Sequence, residues 1–66
     1  MTRQEWVIAA KHKLIDREET INEMAQSLGR TRQWIWLTFR GKSNQAAVNL
    51  ISGYLGIESY ELGEKR

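Results

Sequence analysis

The chain of 66 residues contains no cysteine, no proline and a single histidine, and its five glycines stand apart from one another. Without cysteine there is no disulfide framework and no thiolate metal site, and an oxidising compartment is not implied. Without proline, and with glycine isolated, the composition is that of a helical domain rather than a linker or a disordered segment. Long apolar runs are also missing: nothing approaches the roughly 18 residues of a membrane span. The start, Met1-Thr-Arg-Gln-Glu-Trp6, lacks the basic segment and apolar core of a secretory signal. The expectation is one cytoplasmic domain over residues 1–62 with a frayed tail at 63–66.

Catalytic and metal-binding patterns are lacking as well. His12 lies between Lys11 and Lys13 and reads as a surface residue, and no nucleophile, base pair or glycine-rich phosphate loop accompanies it. The acids Asp16, Glu18 and Glu19 read as a solvated helix end without partners. The chain is therefore expected to be no enzyme and to hold no cofactor and no metal. The last absence is the informative one. From Met24 to Ile57 there is no acid, while Arg30, Arg32, Arg40 and Lys42 all fall there. A net charge of +2 says little, but a central segment of one sign fits a polyanion as readily as a solvated basic face.

What is present is a clear set of helix starts and stops. Thr2-Arg-Gln-Glu5 and Thr20-Ile-Asn-Glu23 both fit the capping box, in which a hydroxyl and a carboxylate satisfy orphan N–H groups reciprocally. The first predicts a helix to about Arg17 burying Trp6, Val7, Ala10 and Leu14, with Ile8 and Ile15 as a second stripe. The second predicts a helix from Ile21 to Leu28 burying Met24, Ala25 and Leu28, stopped by Gly29 in the left-handed position. Thr31 then caps a third helix, Arg32–Arg40, closed by Gly41. Ser43 or Asn44 caps a fourth through Leu55, ended by Gly56, and Ser59–Leu62 can add one more turn. No segment alternates with period two for long enough to make a strand. The fold class is all-α: a bundle of four to five short helices.

Two short capped helices joined by a tight glycine turn form a helix-turn-helix unit. Ala25, Gly29 and Ile35 supply its small crossing residue, its turn glycine and its branched filler. The segment Thr20–Gly41 resembles the helix-turn-helix of the phage Cro and repressor family, and Ile51-Ser-Gly-Tyr-Leu-Gly-Ile57 extends the likeness into a fourth helix. Thr20-Ile-Asn-Glu-Met-Ala25 is also similar to the opening of LacI-type units. Two positions depart from the pattern, both weakening the core: Arg30 where the turn is usually apolar, and Thr38 at a buried apolar position. The resemblance implies a lambda-repressor-like fold and a transcriptional regulator that binds double-stranded DNA, as a dimer on a palindromic operator.

On a helical wheel Ile35, Thr38 and Phe39 face inward, Trp34 sits at the rim, and Arg32, Trp36 and Arg40 face outward with Gln33 and Leu37 beside them. By the resemblance, the outward face enters the major groove with its N-terminal residues deepest. Arg32 and Gln33 are then the candidate base readers, since arginine pairs bidentately with guanine and glutamine with adenine. Trp36 joins them as a base or sugar contact, with core and a protein partner as its other possible settings. Thr20, Asn22 and Thr31 near helix N-termini, and Arg40, Lys42, Ser43 and Asn44 at the far end, are the candidate phosphate contacts. On the fourth helix Val48, Ile51, Ser52 and Leu55 face inward. Ala47, Leu50 and Tyr54, extended by Tyr60 and Leu62, form a stripe that serves either a homodimer or a wide core. Exposed Trp36 and Leu37 on a DNA face also admit a protein-interaction module that binds another regulator, and a DNA-bending accessory protein is a third reading.

Overall fold

The computed structural model describes residues 2–62. They form four helices and, among the described residues, no strand: α1 Arg3–Asp16, α2 Ile21–Leu28, α3 Arg32–Phe39 and α4 Gln45–Leu55. The tail expected at 63–66 lies outside the described residues.

Each helix starts where a side-chain oxygen can take an orphan N–H. Thr2 accepts from Glu5 N–H at 3.2 Å, Thr20 from Glu23 at 3.1 Å, Thr31 from Trp34 at 3.1 Å and Asn44 from Ala47 at 2.9 Å. Asn44, not Ser43, is thus the fourth cap. Both capping boxes close, with Glu5 and Glu23 accepting back from Thr2 and Thr20 N–H at 2.7 and 2.8 Å. Accepting that bond holds the Glu5 carboxyl below its ordinary pKa. A depressed carboxyl stabilises the folded chain above its unfolded-state pKa, so this contribution is lost as pH falls through the folded value.

All four helices end on a residue with positive φ: Glu18 at 54°, Gly29 at 69°, Gly41 at 78° and Gly56 at 71°. After α2, Arg30 N–H reaches Ala25 C=O at 2.8 Å and Gly29 N–H reaches Gln26 C=O at 3.1 Å, a complete Schellman closure. The α1 terminus repeats it with Glu19 to Leu14 and Glu18 to Ile15, but there a residue with a Cβ occupies the left-handed position. Glu18→Gly should therefore stabilise the domain by about 1 kcal/mol, raising Tm by about 4–8 °C in a chain this short. Glu18→Ala keeps the backbone strain and should not reproduce the gain. If both variants melt with the parent, the left-handed residue carries no strain worth relieving.

α1 packs against α4, and α2 against α3. Trp6 is the centre of the core, fully buried, edge-on to Phe39 at 5.6 Å and tilted against Tyr60 at 5.3 Å. Its indole N–H donates to Ser52 Oγ at 2.8 Å, and Ser52 donates onward to Val48 C=O at 2.7 Å. Both buried polar groups are thereby satisfied. Ala10, Leu14, Met24, Ala25, Ile35, Val48, Ile51 and Leu55 fill the space around them, with Val7 and Leu28 packed partly buried at the edge.

Several expectations are corrected. Ile8 and Ile15 form no second buried stripe and stay exposed, because Trp6, Ala10 and Leu14 already fill the inward side of α1. Ser59–Leu62 makes no extra helical turn. The Gln45 side-chain amide donates to Tyr60 C=O and its oxygen accepts from Leu62 N–H, both at 2.8 Å, which holds this segment irregular while Tyr60 enters the core. Among the described residues the buried Tyr60 hydroxyl has no hydrogen-bond partner, and burial pushes the phenol above its ordinary pKa, with the Arg3 charge partly opposing. Thr2, Arg3, Gln4, Gly41, Tyr60 and Leu62 surround one crevice there.

The acids at the end of α1 are not all unpartnered. Arg17 pairs with Glu19 at 3.1 Å, donates to Tyr54 C=O at 2.9 Å and lies 4.6 Å over the Tyr54 ring, while Tyr54 donates its hydroxyl to Glu19. This clasp ties the turn after α1 to the end of α4.

Candidate nucleic-acid interface

The turn from α2 to α3 is Gly29-Arg30-Thr31, and the closure at Gly29 with the cap at Thr31 fixes how α3 leaves α2. Ile35, Thr38 and Phe39 point into the core as the wheel requires. Neither departure weakens the packing as expected. Thr38 is fully buried, but its hydroxyl donates to Trp34 C=O at 2.9 Å and so is satisfied within the helix. Arg30 turns its guanidinium over the half-buried Trp34 ring at 5.2 Å, leaving only its N–H to close the turn.

The opposite side of α3 is open. Arg32, Gln33, Trp36, Leu37 and Arg40 line one shallow depression on the surface. No acid lines it, and α3, its flanking turns and α4 contain none. The nearest acid in sequence, Glu23, is committed to its capping box. Trp36 is 39% exposed and is held edge-on to Phe39 at 5.9 Å, with the Lys11 ammonium 5.8 Å from its ring. Leu37 is 37% exposed. The face is thus a cation at each end, Arg32 and Arg40, with an apolar middle and a further cation reaching in from α1.

The remaining candidates are at helix ends. Thr20 caps α2, Asn22 is exposed in its first turn, and Thr31 caps α3. Arg40, Lys42 and Asn44 are exposed on the loop from α3 to α4, with Ser43 half-buried among them. Lys42 N–H closes α3 onto Leu37 C=O at 2.9 Å, so its side chain leaves from a fixed backbone. Arg3 from α1 donates to Arg40 C=O at 2.6 Å, capping α3 from outside. Arg3 and Lys11 escaped the sequence reading because both reach α3 only through tertiary packing; no spacing within α1 marks them.

The five residues read as a stripe on and beyond α4 do not make one surface. Ala47 and Tyr60 are buried in the chain's own core, Tyr54 is half-buried in the clasp with Arg17, and Leu62 packs partly buried against the core. Leu50 alone is well exposed, beside a shallow recess shared with Arg30, Trp34, Asn44, Ala46 and Ala47. The physical reason is Tyr60, which fills the space over Trp6 rather than extending an outer face.

The chain matches no protein-family model, no curated protein and no solved structure. Among the described residues no helix is long and apolar enough to cross a membrane, and no group of three His, Cys, Asp or Glu side chains is placed to hold a metal ion.

Proposed function

We propose that the chain is a sequence-specific double-stranded DNA-binding regulator, a repressor or Cro-like protein of the phage type, that lays α3 in the major groove. The observation that carries this reading is the acid-free outward face of α3, opened by Arg32 in the first turn with Gln33 beside it. An arginine and a glutamine at the start of an exposed, capped helix can pair with guanine and adenine edges. Thr31, Arg40, Lys42 and Asn44 flank the helix at its two ends, where phosphate contacts would set its register. By resemblance it acts in the cytoplasm as a homodimer on a palindromic site, with Leu50 the exposed apolar position on α4 available to a second copy.

Selection of bound duplexes from a random pool, followed by band-shift titration, tests the reading. A recurring palindrome bound far better than random duplex, with affinity falling as salt rises, is the expected result. Binding that ignores sequence and salt, or no binding, would end the proposal. Within it, Lys42→Ala should weaken selected and random duplexes alike and reduce the slope of log affinity against log salt by about one. A Lys42→Ala protein with altered sequence preference would remove Lys42 from the phosphate contacts.

Trp36 and Leu37 favour a second reading, in which the same face grips another regulator. Co-purification of a repressor protein by a chain that retains no affinity for any duplex would support it.

A further inference from the structure

We propose that Trp36 and Leu37 read the 5-methyl groups of pyrimidines in the major groove, so that the recognition site carries thymine about two base pairs from the purine read by Arg32 or Gln33. The inference rests on the DNA-binding reading and names what the apolar middle of the face is for.

The two side chains, from the middle of α3, are 39% and 37% exposed and line a depression whose other lining residues are Arg32, Gln33 and Arg40. Arg32 and Gln33 offer paired hydrogen bonds. Leu37 offers none, and the Trp36 indole is a donor only. The occupant of this face is expected to be anionic at its margins, because Arg32 and Arg40 line it, Lys11 lies over the Trp36 ring, and no acid lines it. It also has to present an apolar group at the centre. Duplex DNA meets both conditions in one way. Most base-edge groups on the floor of the major groove are polar nitrogens or oxygens, and the one protruding apolar group is the thymine methyl, with its counterpart on 5-methylcytosine; cytosine offers only a C5–H there.

The geometry supports contact without rearrangement. The Trp36 ring rests edge-on to Phe39, at an interplanar angle of 88°, with the Lys11 ammonium 5.8 Å from its centroid. A ring already packed on a neighbour before binding has less rotamer freedom to lose on contact. Spacing gives the register. Trp36 follows Arg32 by four residues and Leu37 follows Gln33 by four. Four residues of helix advance about 6 Å, which along the groove is about two steps of roughly 3.4 Å each.

The test uses the unaltered protein and the duplex it selects best from a random pool. Each thymine is replaced in turn by deoxyuridine, which removes the methyl and keeps the base pair. Loss of about fourfold in affinity per contacted methyl is expected, at one or two positions of each half-site about two steps from the Arg32-dependent purine, and nowhere else. Leu37→Ala and Trp36→Ala should each flatten part of the difference between thymine and uracil. Leu37→Ala is the decisive variant, because Trp36 also packs on Phe39. A wild-type protein that binds the fully uracil-substituted duplex as tightly as the thymine duplex would overturn methyl reading while leaving DNA binding intact. Unchanged discrimination in a folded Leu37→Ala and a folded Trp36→Ala would overturn it as well. Failure to bind any duplex would remove this inference and the function it rests on together.

Discussion

Trp6→Ala should leave the domain unfolded at 25 °C. Trp6 is fully buried and stands between Phe39, Tyr60 and Ser52, so it joins α1, α3, α4 and the segment after α4 at one point. Truncating a buried tryptophan costs about 3–5 kcal/mol through lost transfer and the cavity left behind. A chain of this length has a total stability of about 3–10 kcal/mol, towards the low end because small domains bury little of their surface. The loss is therefore of the same order as the whole. Far-UV circular dichroism of the variant should resemble a coil, and its thermal transition should vanish or fall by tens of degrees. Trp6→Phe, which keeps a ring but gives up the N–H to Ser52, should remain folded and melt lower. Ile15→Ala, at 71% exposure, should change stability by less than about 0.5 kcal/mol. A helical, cooperatively melting Trp6→Ala protein would mean that the core is not organised around this residue.

Arg32→Ala should produce the largest functional change while leaving the fold untouched. Arg32 is exposed on the open side of α3, and the helix keeps its Thr31 cap and its buried Ile35 without it. Losing a bidentate arginine–guanine contact costs about 1–3 kcal/mol, roughly 5- to 150-fold in affinity. The diagnostic outcome is not the size of that loss but its dependence on sequence. Against a panel of duplexes changed one base pair at a time, the variant should become indifferent at one position of each half-site and keep its preferences elsewhere. Circular dichroism should be unchanged. An equal loss on every duplex would make Arg32 a phosphate contact, and the reading of bases would fall to other residues.

Much of the fold was written in local chemistry. Thr2, Thr20 and Thr31 open helices because each places a hydroxyl three residues before an orphan N–H, and Gly29, Gly41 and Gly56 close them because each can take positive φ. The separation of Ile35 and Phe39 from Arg32 and Gln33 follows from helical periodicity alone, which is why the composition of the outward face was readable in advance. Features that depend on residues far apart were not. Glu18 takes a glycine's conformation with no glycine to announce it. Whether Tyr60 belongs to a dimer stripe or to the core was not legible, because its place over Trp6 is set by Gln45, fifteen residues away, through a side-chain amide. Thr38 and Arg30 read as defects because one satisfying carbonyl and one covering ring are visible only in three dimensions.

The crevice that gathers Thr2, Arg3 and Gln4 with Gly41, Tyr60 and Leu62 has a topological consequence. The first and last described stretches line it together, so a short cross-link between them would close a loop of most of the domain without stretching across the molecule. Such a closure would subtract entropy from the unfolded ensemble, the side of the balance on which a domain of this size is weakest. It would do so without altering any residue of the α3 face.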